Sequence, residues 1–479
     1  MSTYQLLRHS AEAWGRRPAV IDRHGRIDYH TLFAQVEDVR RQLRGLGVGP
    51  GHGVGIMAPN GRSFIIGAFA ATGCGATMLP MSPTLRQTEL DGFLRDVRVH
   101  AILGQGLAFR PEDGRSSQVD VPGVGPMPFT WTDAPRNRPC VEFVPDAAFV
   151  RLTSGTTGRA KGVVLSHRSV IERTAAANRA LGLSCEDTVV WVLPMAFHFF
   201  VSIVLYLRVG AAIVVCADHL AETVLEDANR HGGTFLYAAP VHYRLLVAEA
   251  SGARFRTVRR ALSTAVGLPL EVAHGFRERF GFPLAQAYGV IEVGLPLVNL
   301  ERPEERPGSV GRPLPDWEVA IVGLDAAPLP PGEVGQLALR GPGLFEGYLS
   351  PPTRRVDVLH DGWFMTGDMA WRDEEGFVTI AGRCKSMINV GGNKVFPEEV
   401  EHVLGMHPAV RACRVRAEPH QRLDEVVHAD VVLADPCRPV DAEELVAFCR
   451  RRLSSFKVPG SITFVPAITE TASGKPFRY

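Results

Sequence analysis

The stretch Thr153-Ser-Gly-Thr-Thr-Gly-Arg-Ala-Lys-Gly162 lies between two apolar strand candidates, 148–152 and 163–165. Its three glycines, Gly155, Gly158 and Gly162, let the backbone turn tightly and present its N–H groups. Thr153, Ser154, Thr156 and Thr157 add four hydroxyls, and Lys161 adds an ammonium. Polyphosphate oxygens want that inventory of donors and positive charge. The spacing is not that of a Walker A loop. Counted from Gly155, that pattern needs Gly at 160 and Ser or Thr at 162, where Ala160 and Gly162 stand. A flexible Gly/Thr surface hairpin is the plainer alternative. The lysine argues against it. Only five of the 52 basic residues are lysines (161, 385, 394, 457 and 475), which leaves 47 arginines. Where arginine serves for ordinary surface charge, a position that stays lysine points to a need for a compact ammonium on a flexible stem.

Working outward from the loop, the first hundred residues alternate helix and strand signals. Leu32, Val36, Val39 and Leu43 recur at helical spacing, closed by Gly45 and Gly47. Strands are expected at Gly53–Met57, Thr77–Met81 and 101–103, and helices at 63–71 and 84–97. Such alternation predicts an α/β fold with a parallel sheet covered by helices. Residues 105–145, rich in Gly, Pro and Arg, read as a long surface connection. Alternation then resumes to about residue 300. Short strands at 317–322, 336–340 and 377–380 mark a small β-rich subdomain. Beyond Arg383 the pattern is compact α+β, with a helix from 397, a strand at 426–433 and a helix at 442–453. A chain of 479 residues exceeds the usual ~100–200 residues of one domain.

Composition excludes several classes. An apolar fraction of 46% provides for large cores and argues against disorder. A formal charge of +1 gives no support for nucleic acid or an anionic membrane as the main partner. The eight cysteines are scattered without a CxxC pair, so they read as reduced thiols and not as a disulfide frame or zinc site. The first residues, MSTYQLLRHSAEAW, lack a signal-peptide core. The longest greasy stretch, 197–216, is broken by Ser202, Arg208 and Gly210. It falls short of the ~18–20 uninterrupted apolar residues of a membrane helix. The expectation is a soluble cytoplasmic protein without membrane insertion.

The 153–162 stretch resembles the phosphate loop of the adenylate-forming superfamily, which includes acyl-CoA synthetases, peptide-synthetase adenylation domains and luciferases. Further matches follow in the family's order across nearly the whole chain. Tyr288-Gly-Val-Ile-Glu292 resembles the Tyr-Gly-x-Thr-Glu motif. The resemblance implies that Glu292, with Thr157, holds Mg²⁺ and that Tyr288 and Gly289 lie against adenine. Ile291 departs from the usual Thr, so one hydroxyl contact to the adenylate phosphate is missing. Thr366-Gly-Asp368, after Asp361-Gly-Trp-Phe, resembles the segment whose Asp binds the ribose hydroxyls, and Arg383 is implied as a second ribose contact. Lys385 matches the hinge. The run from Ser386 to Glu401 matches the next motif, in which Gly391 and Gly392 imply a narrow passage for a pantetheine thiol. A hairpin turn is the structural reading of the same glycines, and the two are compatible. Thr469-Glu-Thr-Ala-Ser-Gly-Lys475 resembles the C-terminal motif whose lysine contacts the substrate carboxylate and α-phosphate.

The resemblance also implies where the acid binds. In Pro194-Met-Ala-Phe-His198-Phe-Phe, His198 stands where relatives place an aromatic or His beside the acyl pocket. A satisfied core histidine is an equal reading. Relatives that activate α-amino acids carry an Asp near this place, so an apolar or aromatic carboxylic acid is expected instead. Tyr237, Ala238, Pro240, Tyr243, Ser263, Ala265, Gly267 and Gln286 fall in segments that line the acyl and adenine sites, although core packing explains such residues equally well. The implied enzyme has a large N-terminal domain over 1–382 and a small mobile C-terminal domain over 383–479. It converts ATP and an acid to acyl-AMP and pyrophosphate, with Lys161, Glu292 and Lys475 at the reaction centre. The acyl group then passes to a thiol, CoA first, with a carrier-protein thiol or an amine as alternatives. A non-catalytic acyl or nucleotide binder and a Walker-type ATPase are readings of other classes.

Overall fold

The computed structural model describes residues 1–85, 87–106, 109, 116–153, 161–323, 326–390, 393–420, 424–435 and 440–468. They divide into two compact units. The first comprises Met1–Pro307, Gly311–Glu318 and Arg340–Phe364. The second comprises Gly308–Val310, Val319–Leu339 and the described chain from Met365 onward.

The first unit holds two nine-stranded sheets. One carries the phosphate-loop candidate. Its parallel centre runs Ala101–Gly104, Gly53–Met57, Thr77–Met81, Ala147–Thr153, and it continues antiparallel through Lys161–Ser166 and Gly347–Tyr348. Gly53–Met57 and Thr77–Met81 are buried at every residue, which is why they read as unbroken apolar runs. The other sheet has a parallel centre of Pro18–Asp22, Ala212–Val215, Thr188–Trp191, Phe235–Ala238, Arg260–Ser263 and Leu284–Val290. The helix His167–Leu181 touches strands of both sheets.

The expected elements fall close to their places. The helix Tyr29–Gly45 buries Leu32, Val36, Val39 and Leu43, and Asp28 caps it by accepting from the Thr31 N–H. The helix expected at 63–71 runs Arg62–Gly73 and is apolar all round, as a helix inside the unit must be. The helix expected from residue 84 begins at Gln87. Ser82 and Thr84 share a hydroxyl hydrogen bond of 2.7 Å that holds a turn there instead.

One expectation needs correction. Residues 105–145 are not merely a surface connection. Ser117–Val121 and Gly125–Trp131 form a hairpin that extends the first sheet beside Ala101–Gly104. Val119, Val121, Met127 and Phe129 bury one face of it, a period-two signal that Pro126 and Pro128 obscured in the sequence. The greasy stretch 197–216 is buried as helix and then strand. Met195–His198 is helical, Phe199–Ile203 forms a turn of π-helix, Val204–Arg208 resumes the α-helix, and Ala212–Val215 is a strand.

The second unit contains a four-stranded sheet of Glu318–Val322, Gly335–Arg340, Phe364–Arg372 and Val378–Arg383. A five-stranded sheet pairs Asn393–Val395, Ile388–Val390, Asp424–Leu433, Val410–His420 and Ser461–Phe464. Helices Pro397–Gly405 and Ala442–Arg450 contribute Val400, Leu404 and Leu445 to a core with Val395, Val415 and Val431. Among the described residues no helix is long and apolar enough to cross a membrane.

Candidate active site

The strands Ala147–Thr153 and Lys161–Ser166 pair antiparallel down to Thr153 opposite Lys161, so the loop between them closes a hairpin. Ser154, Gly155, Thr156, Thr157 and Gly158 lie outside the described residues, as do the side chains of Thr153 and Lys161. Beside this hairpin, Tyr348 pairs with Val163, and its hydroxyl donates to Glu292 Oε1 at 3.1 Å. Burial and the adjoining carboxylate raise the Tyr348 pKa, so the phenol remains a donor.

Glu292 sits in the turn between Leu284–Val290 and Gly294–Val298. Gly289 is required at the end of the strand that enters that turn, since a Cβ there would lie 2.3 Å from the Gly294 carbonyl oxygen. Arg173, from the helix His167–Leu181, straps the turn in place. Its Nη1 donates to the Ile291 carbonyl at 2.8 Å, its Nη2 to the Glu292 carbonyl at 3.2 Å and its Nε to the Gly343 carbonyl at 2.9 Å. Ile291 is buried, so the residue standing where relatives carry a hydroxyl packs into the core. Tyr288 is half-buried on the same strand.

His198 sits in a box of aromatic rings. It meets Trp191 and Tyr237 edge-on, at 5.8 and 6.2 Å between centroids. The residue as a whole is half-buried. Burial pushes its pKa down to about 3, with the Arg151 charge adding to the effect, so the ring is neutral. Arg151 itself was hidden in a strand read as apolar. Its Nη1 donates to the Phe197 carbonyl at 2.9 Å, and its guanidinium lies 5.0 Å from the Phe197 ring centre. The signal in the sequence was an arginine interrupting hydrophobic residues directly before the loop.

The acyl-pocket candidates do not all gather. Trp191 and Tyr237 pair in register and stack at 6.1 Å on the His198 side of the sheet. Ala238, Ser263 and Gln286 pair across three strands one residue further on, so they face the opposite side. There Ala238 packs with residues of the helices Ala221–Arg230, Pro240–Ala248 and Leu270–Phe280. Gln286 accepts from the Leu268 N–H at 3.2 Å, and the Ser263 hydroxyl is buried without a partner among the described residues. Pro240 starts the helix Pro240–Ala248, while the Tyr243 hydroxyl donates to the Leu236 and Leu262 carbonyls at 3.1 and 3.0 Å. Ala265 adopts a positive φ of 76°, and Gly267 faces open space.

In the second unit Asp368 and Arg383 are cross-strand partners, with Arg383 Nε 2.5 Å from Asp368 Oδ1. Asp368 is buried, and its backbone N–H donates to the Thr366 hydroxyl at 3.0 Å. Lys385 lies in a single 3₁₀ turn, Cys384–Ser386. Strands Ile388–Val390 and Asn393–Val395 form the hairpin expected around Gly391 and Gly392, which lie outside the described residues, as does Lys475. Lys457, left without a role in the sequence, donates to both Glu399 carboxylate oxygens at 2.7 and 2.8 Å and so ties its segment to the helix Pro397–Gly405.

Comparison with known proteins adds to this geometry. The model of the AMP-binding enzyme family matches residues 7–349, and that of the AMP-binding enzyme C-terminal domain matches 399–475. The chain belongs to the AMP-binding enzyme family. It is 30% identical to a feruloyl-CoA synthase from Amycolatopsis sp over 95% of this chain and 93% of that one. The o-succinylbenzoate CoA synthetase of Bacillus subtilis, solved with its acyl-adenylate intermediate, superposes with a TM-score of 0.87 at 25% identity, covering 100% and 97% of the two chains. An amide bond synthetase from Marinactinospora thermotolerans superposes with a TM-score of 0.82 at 27% identity, covering 99% and 98%. The adenylate-forming resemblance and the α/β fold with a smaller C-terminal domain are thereby borne out.

Proposed function

We propose that this AMP-binding enzyme activates an apolar or aromatic carboxylic acid with ATP and passes the acyl group to CoA. The observation that carries the reading is the juxtaposition in the first unit. The loop-bearing hairpin neighbours Tyr348, which holds Glu292, and Arg173 fixes the turn on which Glu292 stands. In the adenylation step a carboxylate oxygen bonds to the α-phosphorus as the bond to the β-phosphate oxygen breaks, and the electron pair leaves with pyrophosphate. Backbone N–H groups of the loop and Lys161 would bear the phosphate charge, and Lys475 would stabilise nucleophile and phosphate together.

Glu292 fits a Mg²⁺ ligand. It is a carboxylate with no ion pair among the described residues, and Thr157 offers a second hard oxygen. Magnesium asks for only one or two protein oxygens when phosphates supply others, and it would neutralise phosphate charge. Asp368 and Arg383 would meet the ribose, and Tyr288 and Gly289 the adenine. His198 and Tyr237 would line the acid pocket. Residues 1–382 and 383–479 would act as domains about Lys385, exposing a thiol passage at Gly391 and Gly392 for the second step. The cytoplasm, where ATP and CoA are at hand, is the proposed location. An amine acceptor is the second reading, favoured by the likeness to an amide bond synthetase.

The test is pyrophosphate exchange with aliphatic, aryl and β-amino acids, followed by AMP release with CoA and, separately, with an amine. Exchange with an apolar or aryl acid and AMP release on adding CoA are expected. No exchange with any acid would overturn the reading in favour of a binding protein.

A further inference from the structure

Arg151 stands on the strand Ala147–Thr153, two residues before the loop. Strand alternation puts it on the same face as Phe149, whose ring lies 4.6 Å from that of Phe200. The row therefore looks toward the segment 197–203, where the backbone passes through a π-helical turn. Such turns concentrate at functional sites because they re-aim the side chains around them. Arg151 follows Phe149 in that row and reaches the Phe197 carbonyl.

Its charge is poorly matched. A guanidinium carries five donors in a rigid fork. Among the described residues, Arg151 makes one hydrogen bond, to the Phe197 carbonyl, and no ion pair, and its Nε is buried without a partner. The loop residues 154–160 include no acidic side chain that would neutralise it. The surroundings are aromatic and neutral: Phe197, and His198, which is held uncharged. Burial lowers the Arg151 pKa only to about 10, while the Glu292 carboxylate acts through space in the opposite direction, so the side chain remains a cation. A part-buried cation whose Nε is shut off from solvent and unpaired is costly unless an anion completes it. The position defines which anion. Arg151 feels the Glu292 carboxylate, proposed for the phosphate side, and its charge acts on His198, proposed for the acid side.

We infer that Arg151 receives the reacting carboxylate of the acid substrate and holds it between the acyl pocket and the phosphate site, a specificity contact for carboxylate over neutral analogues. The inference rests on the adenylation reading above. The fork accepts the two carboxylate oxygens at once, and the aromatic side chains take the rest of the acid. Once the carboxylate has become an acyl phosphate ester, that negative charge is gone and the contact weakens, which favours release toward the acceptor.

The test compares full-length wild type, Arg151→Gln and Arg151→Lys. Calorimetric titration of benzoate against benzamide, and of hexanoate against hexanamide, reads carboxylate recognition without turnover. Wild type is expected to prefer each acid over its amide, and Arg151→Gln to lose that preference. In pyrophosphate exchange, Arg151→Gln is expected to raise the KM for acid roughly ten- to a hundredfold, the range for a charged hydrogen bond. The KM for ATP and the unfolding midpoint should stay put, and Arg151→Lys should recover part of the loss. A parallel rise in both KM values would mark a structural or phosphate-binding arginine and overturn the inference. So would a wild type indifferent to acid and amide. An effect confined to succinate and absent with hexanoate would also overturn it, since that would mark a subsite for a second anionic group. Acid preference without exchange would instead sink the adenylation reading and leave the carboxylate site standing. If Arg151→Gln does not fold, the KM shift of Arg151→Lys decides.

Discussion

Arg173, buried, and Arg151, part-buried, are cations in the same unit, and both feel the Glu292 carboxylate, yet their surroundings differ. Arg173 spends its donors on the carbonyls of Gly343, Ile291 and Glu292, so its charge is spread over oriented backbone dipoles. Arg151 spends one donor on Phe197 and keeps Nε buried without a partner among the described residues. Burial pulls both guanidinium pKa values down, to about 9 for Arg173 and about 10 for Arg151. Burial alone therefore does not distinguish a strap from a receptor. The count of satisfied donors does: a cation saturated by the protein holds the protein, and one left open waits for an anion.

The comparison can be broken most directly at Arg173. Arg173→Met strands the buried Gly343 and Ile291 carbonyls at about 1–3 kcal/mol each, while the Glu292 carbonyl keeps the Phe345 N–H, so a loss of about 2 kcal/mol or more is expected in urea unfolding. A folded Arg173→Met protein of unchanged stability would refute the strap. The second test separates the two cations proposed for the carboxylate. Lys475→Ala should cut pyrophosphate exchange by about 10²–10³-fold while keeping the acid-over-amide preference that Arg151 is assigned. Loss of that preference would move carboxylate recognition to Lys475. Full activity in Lys475→Arg would contradict the need for a compact ammonium there.

A third test uses pH. His198 is held neutral, with a folded pKa near 3, and its unfolded value is the ordinary histidine one. The unfolded chain therefore binds the proton first. The stability this histidine contributes is present above about pH 6.5 and falls as pH drops toward about 3. His167 acts in the same direction, lowered to about 4 by burial, with its Nδ1 accepting the Thr3 N–H at 3.2 Å. His198→Phe should flatten the acid limb of stability between pH 7 and 4 by on the order of 1–2 kcal/mol, reduced because the residue is only half-buried. Chemical unfolding at several pH values measures it, and an unchanged acid limb would mean the ring is not held neutral. The smallest effect belongs to a cation already paired. Lys457→Met removes a half-exposed ion pair to Glu399 and should cost about 0.5–1 kcal/mol, with exchange kinetics unaltered. A large kinetic effect would give Lys457 the role it lacks here.

Some of this was legible without coordinates. Gly53–Met57 and Thr77–Met81 were readable because parallel strands buried on both faces must be apolar throughout. Asp368 and Arg383 were each placed by motif, and the structure brings them together as cross-strand partners. The hairpin at 117–131 was not readable, since its prolines and glycines speak for turns while its buried alternation is only two residues long on each strand. Nor was the parting of Tyr237 from Ala238. They are adjacent in sequence, and the pleat alone sends one to His198 and the other to the far helices.

The sequence by itself determined the chemistry on offer: a glycine-rich loop of hydroxyls with one lysine, and a motif order that fits the AMP-binding enzymes. Those signals are local, carried by residue types at short spacings. Only the tertiary structure decided which of 47 arginines is satisfied and which is open. The partners of Arg173 lie 118 to 170 residues away along the chain, and the carbonyl that Arg151 meets lies 46 residues away. A donor's partners are set by which strands and turns become neighbours, and no spacing within a motif encodes that.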